Sequence, residues 1–146
     1  MRKSVRLTPF DVFARRSFNE AREPWLMLAR LKDKHRHLIE PIMRFSKSLR
    51  NIPYDELYLS HNYALYCSEL VVAMFRHANG GTPFFKEAPM SFRDLATGRP
   101  HQTWIDYYAY FGIDVPEGEP GSNPDAISRD DRLNVYKTIG QIPGLR

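Results

Sequence analysis

The chain is 146 residues long, with 42% hydrophobic residues, 26% charged residues and a formal net charge of +4. That size suits one domain, read here as spanning residues 1–146, and that balance excludes an intrinsically disordered chain. No apolar run nears the ~18 residues that a spanning helix requires, and the start MRKSVRLTPFDVFARR carries no apolar signal region and no small-residue cleavage site. A cytoplasmic location is therefore the default reading. The single cysteine, Cys67, excludes an internal disulfide framework and any Cys-rich zinc site.

Charge is uneven: residues 1–50 hold thirteen Lys/Arg against five Asp/Glu, and residues 51–146 hold eight against twelve. A basic half can face nucleic acid or another anionic surface. These residues are spread out with no dense run and no nucleic-acid motif, so a solvated face on ordinary helices is the leading reading and nucleic acid a minor one.

In chain order, Thr8-Pro9-Phe10-Asp11 predicts a helix start, with threonine capping, proline at the first position and an acid in the first turn. Phe10, Phe13 and Ala14 would give that helix an apolar stripe as far as about Phe18. Trp25–Leu31, bounded by Pro24 and by Lys32-Asp33-Lys34, reads as a buried strand. From Asp33 to Leu49 the residues Leu38, Ile42, Phe45 and Leu49 recur at helical spacing, and Pro41 means that the helix either begins near Ile39 or is kinked. Asn51–Asp55 is a turn signal leading into an aromatic loop through Tyr58 and Tyr63. A second helix should run from Cys67 to about Asn79, with Leu70, Val71, Met74 and Ala78 on one face and Gly80-Gly81 as its stop. Two short helices are expected near Ser91–Ala96 and His101–Phe111, the second with Trp104, Tyr107, Tyr108 and Phe111 as a core-facing stripe. Val115–Pro124 reads as a surface loop.

Cys67 falls where a loop becomes a helix, in Tyr66-Cys67-Ser68-Glu69-Leu70-Val71. A thiolate there is stabilised by the helix dipole, and the unpaired N–H groups of the first turn can hold a developing oxyanion. That combination suits cysteine acyl transfer. A lone cysteine before an apolar helix is equally readable as a small buried side chain. Of the histidines, His61 lies six residues before Cys67, near enough to fold back as a base. His35 and His37 read as solvated, since a His-x-His pair is only a fragment of a metal site. His77 sits at a helix C-terminus, and His101 offers no partner. Glu69 suits helix-terminus electrostatics, and Tyr54 and Tyr66 are packing residues whose hydroxyls could line a cleft.

Ile52-Pro53-Tyr54-Asp55-Glu56-Leu57-Tyr58, then Leu65-Tyr66-Cys67-Ser68-Glu69-Leu70-Val71, with Gly121-Ser122-Asn123-Pro124 beyond, resembles the circularly permuted papain-like hydrolases of the NlpC/P60 superfamily, in its YiiX/YaeF-like group. The resemblance covers roughly residues 25–128. It implies an α+β, papain-like core with the cysteine helix packed on a small antiparallel sheet that includes Trp25–Leu31. It also implies a cysteine hydrolase or amidase that cleaves amide bonds of peptides or cell-wall-like material through a Cys67 thioester, with ester or acyl small molecules as further substrates. Glu69 would help to order the site. In such proteins the base is a histidine on a Ser-His-Val-Gly-like strand before the cysteine, followed by a polar orienting residue. This sequence has no such segment. The expectation is therefore an N-terminally incomplete domain, a site completed by another chain, or a catalytically incomplete relative serving as a binding or structural subunit. A sheet short of strands would expose an edge and invite a second copy or a complementing chain. No metal or organic cofactor is implied.

Overall fold

In the computed structural model, which describes residues 3–19, 21–60, 62–94 and 96–140, the chain begins extended and turns after Pro9 into a short helix, α1 (Phe10–Arg16). There follow β1 (Leu26–Leu31), a 3-10 helix over Asp33–Leu38, α2 (Ile39–Ser48), α3 (Cys67–Ala78) and β2 (Ala88–Pro89). The remainder comprises α4 (Gln102–Tyr110), β3 (Pro120–Gly121), α5 (Pro124–Ser128) and β4 (Leu133–Ile139). The class is α+β, as expected. Among the described residues the strands form two antiparallel pairs, β1 with β4 and β2 with β3, and no helix is long and apolar enough to cross a membrane.

The core forms where α2, α3 and the ends of β1 and β4 meet. Leu38, Ile42, Val72, Phe84 and Phe85 are buried together, with Leu31, Val71, Met74, Phe75 and Leu133 packed against them. Pro41 explains how the segment feeding this core divides. It occupies the third position of α2, where a helix needs no N–H from it, so α2 begins at Ile39 and runs unkinked. The residues before it wind as a 3-10 helix, whose three-residue turn brings His35 and Leu38 to the same side. His35 therefore is not solvated: its ring stands edge-on to Phe84 at 5.1 Å, and its Nε2 is buried without a hydrogen-bond partner. Burial, then Lys34 and Arg132, hold its pKa below the ordinary value. His37 is exposed. His77, in the last turn of α3, stacks on Phe45 at 3.7 Å.

The glycine stop of α3 is as expected. Gly80 and Gly81 take φ of 65° and 89°, and their N–H groups donate to the carbonyls of His77 and Arg76. α4 is also as expected, and its aromatic stripe faces inward except at its end: Tyr108 is wholly buried and Trp104 packs against Tyr58, Phe92 and Tyr107, whereas Phe111 is exposed. His101 does have a partner, because it caps α4 by accepting the Thr103 N–H on its Nδ1 at 3.3 Å.

Three further expectations are corrected. α1 is shorter than expected, ending at Arg16, and Phe10 and Phe13 point to solvent, so its stripe faces no core. The described part of Ser91–Ala96 is not helical. Glu117 takes the Phe92 N–H and the Ser91 hydroxyl, at 2.9 Å each, and Asp94 takes the N–H groups of Ala96 and Thr97, so side chains outbid the helical pattern. Val115–Pro124 is more than a surface loop: Pro120–Gly121 forms β3 and Ser122 is buried. Phe85 is 2% exposed and lies edge-on to Phe75 and Phe84 at 4.7 and 5.0 Å. Phe85→Ala should cost about 3–5 kcal/mol in urea denaturation, whereas Phe13→Ala, at an exposed position, should stay within about 0.5 kcal/mol.

Candidate active site

Cys67 is the first residue of α3 and its thiol is exposed, which removes the reading of a small buried side chain. The N–H groups of Cys67, Ser68 and Glu69 have no acceptor one turn back, as at any helix start. The residues on either side of the thiol are buried and fixed. Tyr66 is 3% exposed and its hydroxyl accepts the Ser122 N–H at 2.9 Å. Ser68 is equally buried and donates its hydroxyl to the Ser122 carbonyl at 2.9 Å. The two bonds grip the backbone of one residue, Ser122, on both its peptide groups, so the helix start is anchored to the segment between β3 and α5. Gly121 fits there because a Cβ on it would run into the Met90 side chain.

Glu69, the third helical residue, turns back so that its Oε2 accepts the Tyr66 N–H at 3.3 Å, one half of a capping box. Its pKa rises from 4.5 to about 7. Burial is the main cause, Asp55 and Glu87 add to it, and the Tyr66 N–H and Arg76 oppose it. Arg76 and Glu87 form an ion pair beside it.

The second wall is the segment from Tyr54 to Leu59. Asp55 is 2% exposed, and its carboxylate accepts the N–H groups of Leu57 and Leu59 at 2.8 Å each, folding the segment into a tight loop. That loop drives Tyr58 to φ 55°, a conformation seldom taken by an aromatic residue. α4 secures it from behind: the Tyr107 and Tyr108 hydroxyls donate to the carbonyls of Glu56 and Leu57 at 2.6 and 2.9 Å. Tyr54 begins the loop, and Cys67 is among the groups that act on its phenol. Burial, a hydrogen bond with Tyr58 and the proximity of Tyr58 and Cys67 hold its phenol well above its ordinary pKa, so it remains a donor. An open cavity of about 590 Å³ adjoins it, lined by Lys3, Tyr54, Glu56, Asn62 and Phe111 among others.

The sequence-predicted residues thus converge in part. Cys67, Tyr54, Tyr66 and Glu69 surround one helix start, while His61 lies outside the described residues. Among the described residues no histidine hydrogen-bonds Cys67, and no three of His, Cys, Asp and Glu gather to hold a metal ion. Ser68 and Ser122 were not singled out by their chemistry, because a bond across 54 residues leaves no local signal. Asp55 had one, an acid in a Pro-Tyr-Asp turn with N–H groups two and four residues on.

The model of the permuted papain-like amidase enzymes, the YaeF/YiiX or C92 peptidase family, matches residues 1–135. Comparison with curated proteins finds no match. Among solved structures, the chain is similar to one described as metalloprotein yiiX from Escherichia coli O157:H7, with 18% identity and a TM-score of 0.63. The match takes in 78% of this chain and 62% of that one, so the chain spans less than two thirds of that protein's length.

Two outcomes test the geometry. Tyr66→Phe leaves the buried Ser122 N–H without an acceptor and should lower stability by about 1–3 kcal/mol in urea denaturation. With a folded pKa of about 7 against an ordinary 4.5, Glu69 keeps its proton in the folded state over that interval. Its stabilising contribution is full below about pH 4.5 and is lost as pH rises through about 7. Glu69→Gln should therefore show a flatter stability profile than the wild type between those values.

Proposed function

Because the chain belongs to the permuted papain-like amidase enzymes of the YaeF/YiiX family, we propose that it is a cysteine hydrolase of amide bonds in peptides or cell-wall-like material, with residues 1–146 as one domain. The observation that carries this reading is the exposed Cys67 thiol at the first position of α3, between two buried and anchored neighbours.

In the first step the thiolate attacks the substrate carbonyl carbon, a C–S bond forms and the carbonyl oxygen becomes an oxyanion. The Cys67 N–H at the helix start and the protonated Tyr54 hydroxyl are the donors for that charge. Collapse of the intermediate breaks the C–N bond, and the base returns the thiol proton to the leaving amine. Water, deprotonated by the same base, then attacks the thioester, releasing the acid and restoring the thiol. His61 is the residue of this chain assigned as base, six positions before the nucleophile; a complementing chain is the other source. Tyr66 acts through its hold on Ser122, and Glu69 orders the N-terminal turn. The metal in the description of yiiX has no ligand set among the described residues, and no step above is routed through one.

A second reading, a catalytically incomplete binding subunit, is favoured by one fact: none of the described histidines hydrogen-bonds Cys67. Alkylation by iodoacetamide across pH, read beside turnover of a peptide amide, separates the two. The enzyme reading expects alkylation of Cys67 at neutral pH much faster than that of a free thiol, and loss of all turnover in Cys67→Ala. Tyr54→Phe should lower kcat about a hundredfold as one oxyanion donor is lost. An ordinary thiol with no turnover would establish the binding subunit.

A further inference from the structure

The described residues between Lys3 and Trp25 form an arm with an unusual construction. Its outgoing end is tied to the body. At the outgoing end, the N–H groups of Val5, Asn51 and Tyr54 donate to the carbonyls of Ile52, Val5 and Lys3, at 2.9 Å each. At the returning end the arm closes on itself, the Trp25 N–H donating to the Ser17 carbonyl at 2.7 Å before the chain enters β1. Between the ties lies α1, which has no buried residue. Phe10 and Phe13, three residues apart on α1, share one side, Leu7 lies on the non-helical stretch before it, and Leu7, Phe10 and Phe13 are 75%, 61% and 53% exposed. Phe18 and Trp25 are also exposed at the foot of the arm. Isolated exposed apolar residues are ordinary, but this series on a tethered element is a patch. Arg6, Arg15, Arg16 and Arg22 are exposed along the same arm, while Asp11 is held by Arg15 at 2.7 Å.

We propose that this arm docks on the surface of an anionic phospholipid bilayer, with Leu7, Phe10 and Phe13 entering the headgroup and acyl boundary and the arginines pairing with lipid phosphates. Aromatic and aliphatic residues beside basic ones are what an interfacial helix requires. Charge complementarity selects the occupant. A second copy docked arm to arm would set Arg6, Arg16 and Arg22 against their copies, whereas an anionic leaflet draws on all three. The attachment is peripheral and depends on neither Cys67 nor the amidase reading.

Flotation of the full chain with phosphatidylcholine vesicles, with and without phosphatidylglycerol, tests this. The wild type should float with the mixed vesicles, about tenfold less with phosphatidylcholine alone, and less as salt is raised. Phe10→Ser combined with Phe13→Ser should weaken flotation at least about tenfold. Its melting curve should move little, since α1 has no fully buried residue. Arg6→Gln with Arg16→Gln should weaken binding to the anionic vesicles only. Absence of flotation with mixed vesicles, or equal flotation of the double phenylalanine variant, overturns the proposal. So does a wild-type dimer in analytical ultracentrifugation that this variant converts to monomer, which would give the patch to a second copy.

Discussion

The backbone of Ser122 is the constraint on which the arrangement around the thiol depends. Its N–H and its carbonyl are taken by Tyr66 and Ser68, the two residues flanking Cys67. Both partners are buried, so neither bond competes with water, and losing either would strand a polar group. Helix starts commonly fray, yet this one is fixed from outside by a segment 54 residues further along the chain. The thiol remains exposed while its neighbours do not, and a nucleophile needs that combination of access and fixed aim.

The opposite wall is ordered by the same means with different groups. Asp55 gathers N–H groups that would otherwise compete for water, and two tyrosine hydroxyls from α4 hold the adjacent carbonyls. The strained Tyr58 backbone is tolerated because these bonds over-determine the loop. Side chains do the work of a sheet here, and the small β2–β3 pair beside them contributes only two residues per strand.

The sequence revealed those elements whose signals are local. α3 was legible at both ends, from the cysteine, the acid at its third position and the double glycine. β1 was legible because Leu26–Leu31 is apolar and bounded by proline and charge. β4 escaped notice because its middle residues, Asn134 to Thr138, are exposed on both faces, which erases the alternation that marks a strand. A kink also lies in its register, between Leu28 and Ala29 of its partner. Ser91–Ala96 misled because its turn is made by Glu117, more than twenty residues away in sequence. At the site, Cys67, Tyr54 and Glu69 could be named in advance from their place in a motif. The Ser122 anchor could not, being a purely tertiary contact.

The placement of the two indoles gives the molecule a pair of built-in optical reporters. Trp104 lies in the aromatic cluster behind the Tyr54–Leu59 loop, with Tyr58 at 6.0 Å and Tyr107 at 5.7 Å. Trp25 stands exposed at the foot of the arm. Since the chain has only these two tryptophans, the short-wavelength part of its emission comes from the loop's support. The long-wavelength part comes from the arm. Tyrosines within transfer distance also feed excitation to Trp104, so a loosening of that loop dims one band without touching the other. Events at the thiol and events at the arm can therefore be followed separately in one unlabelled sample.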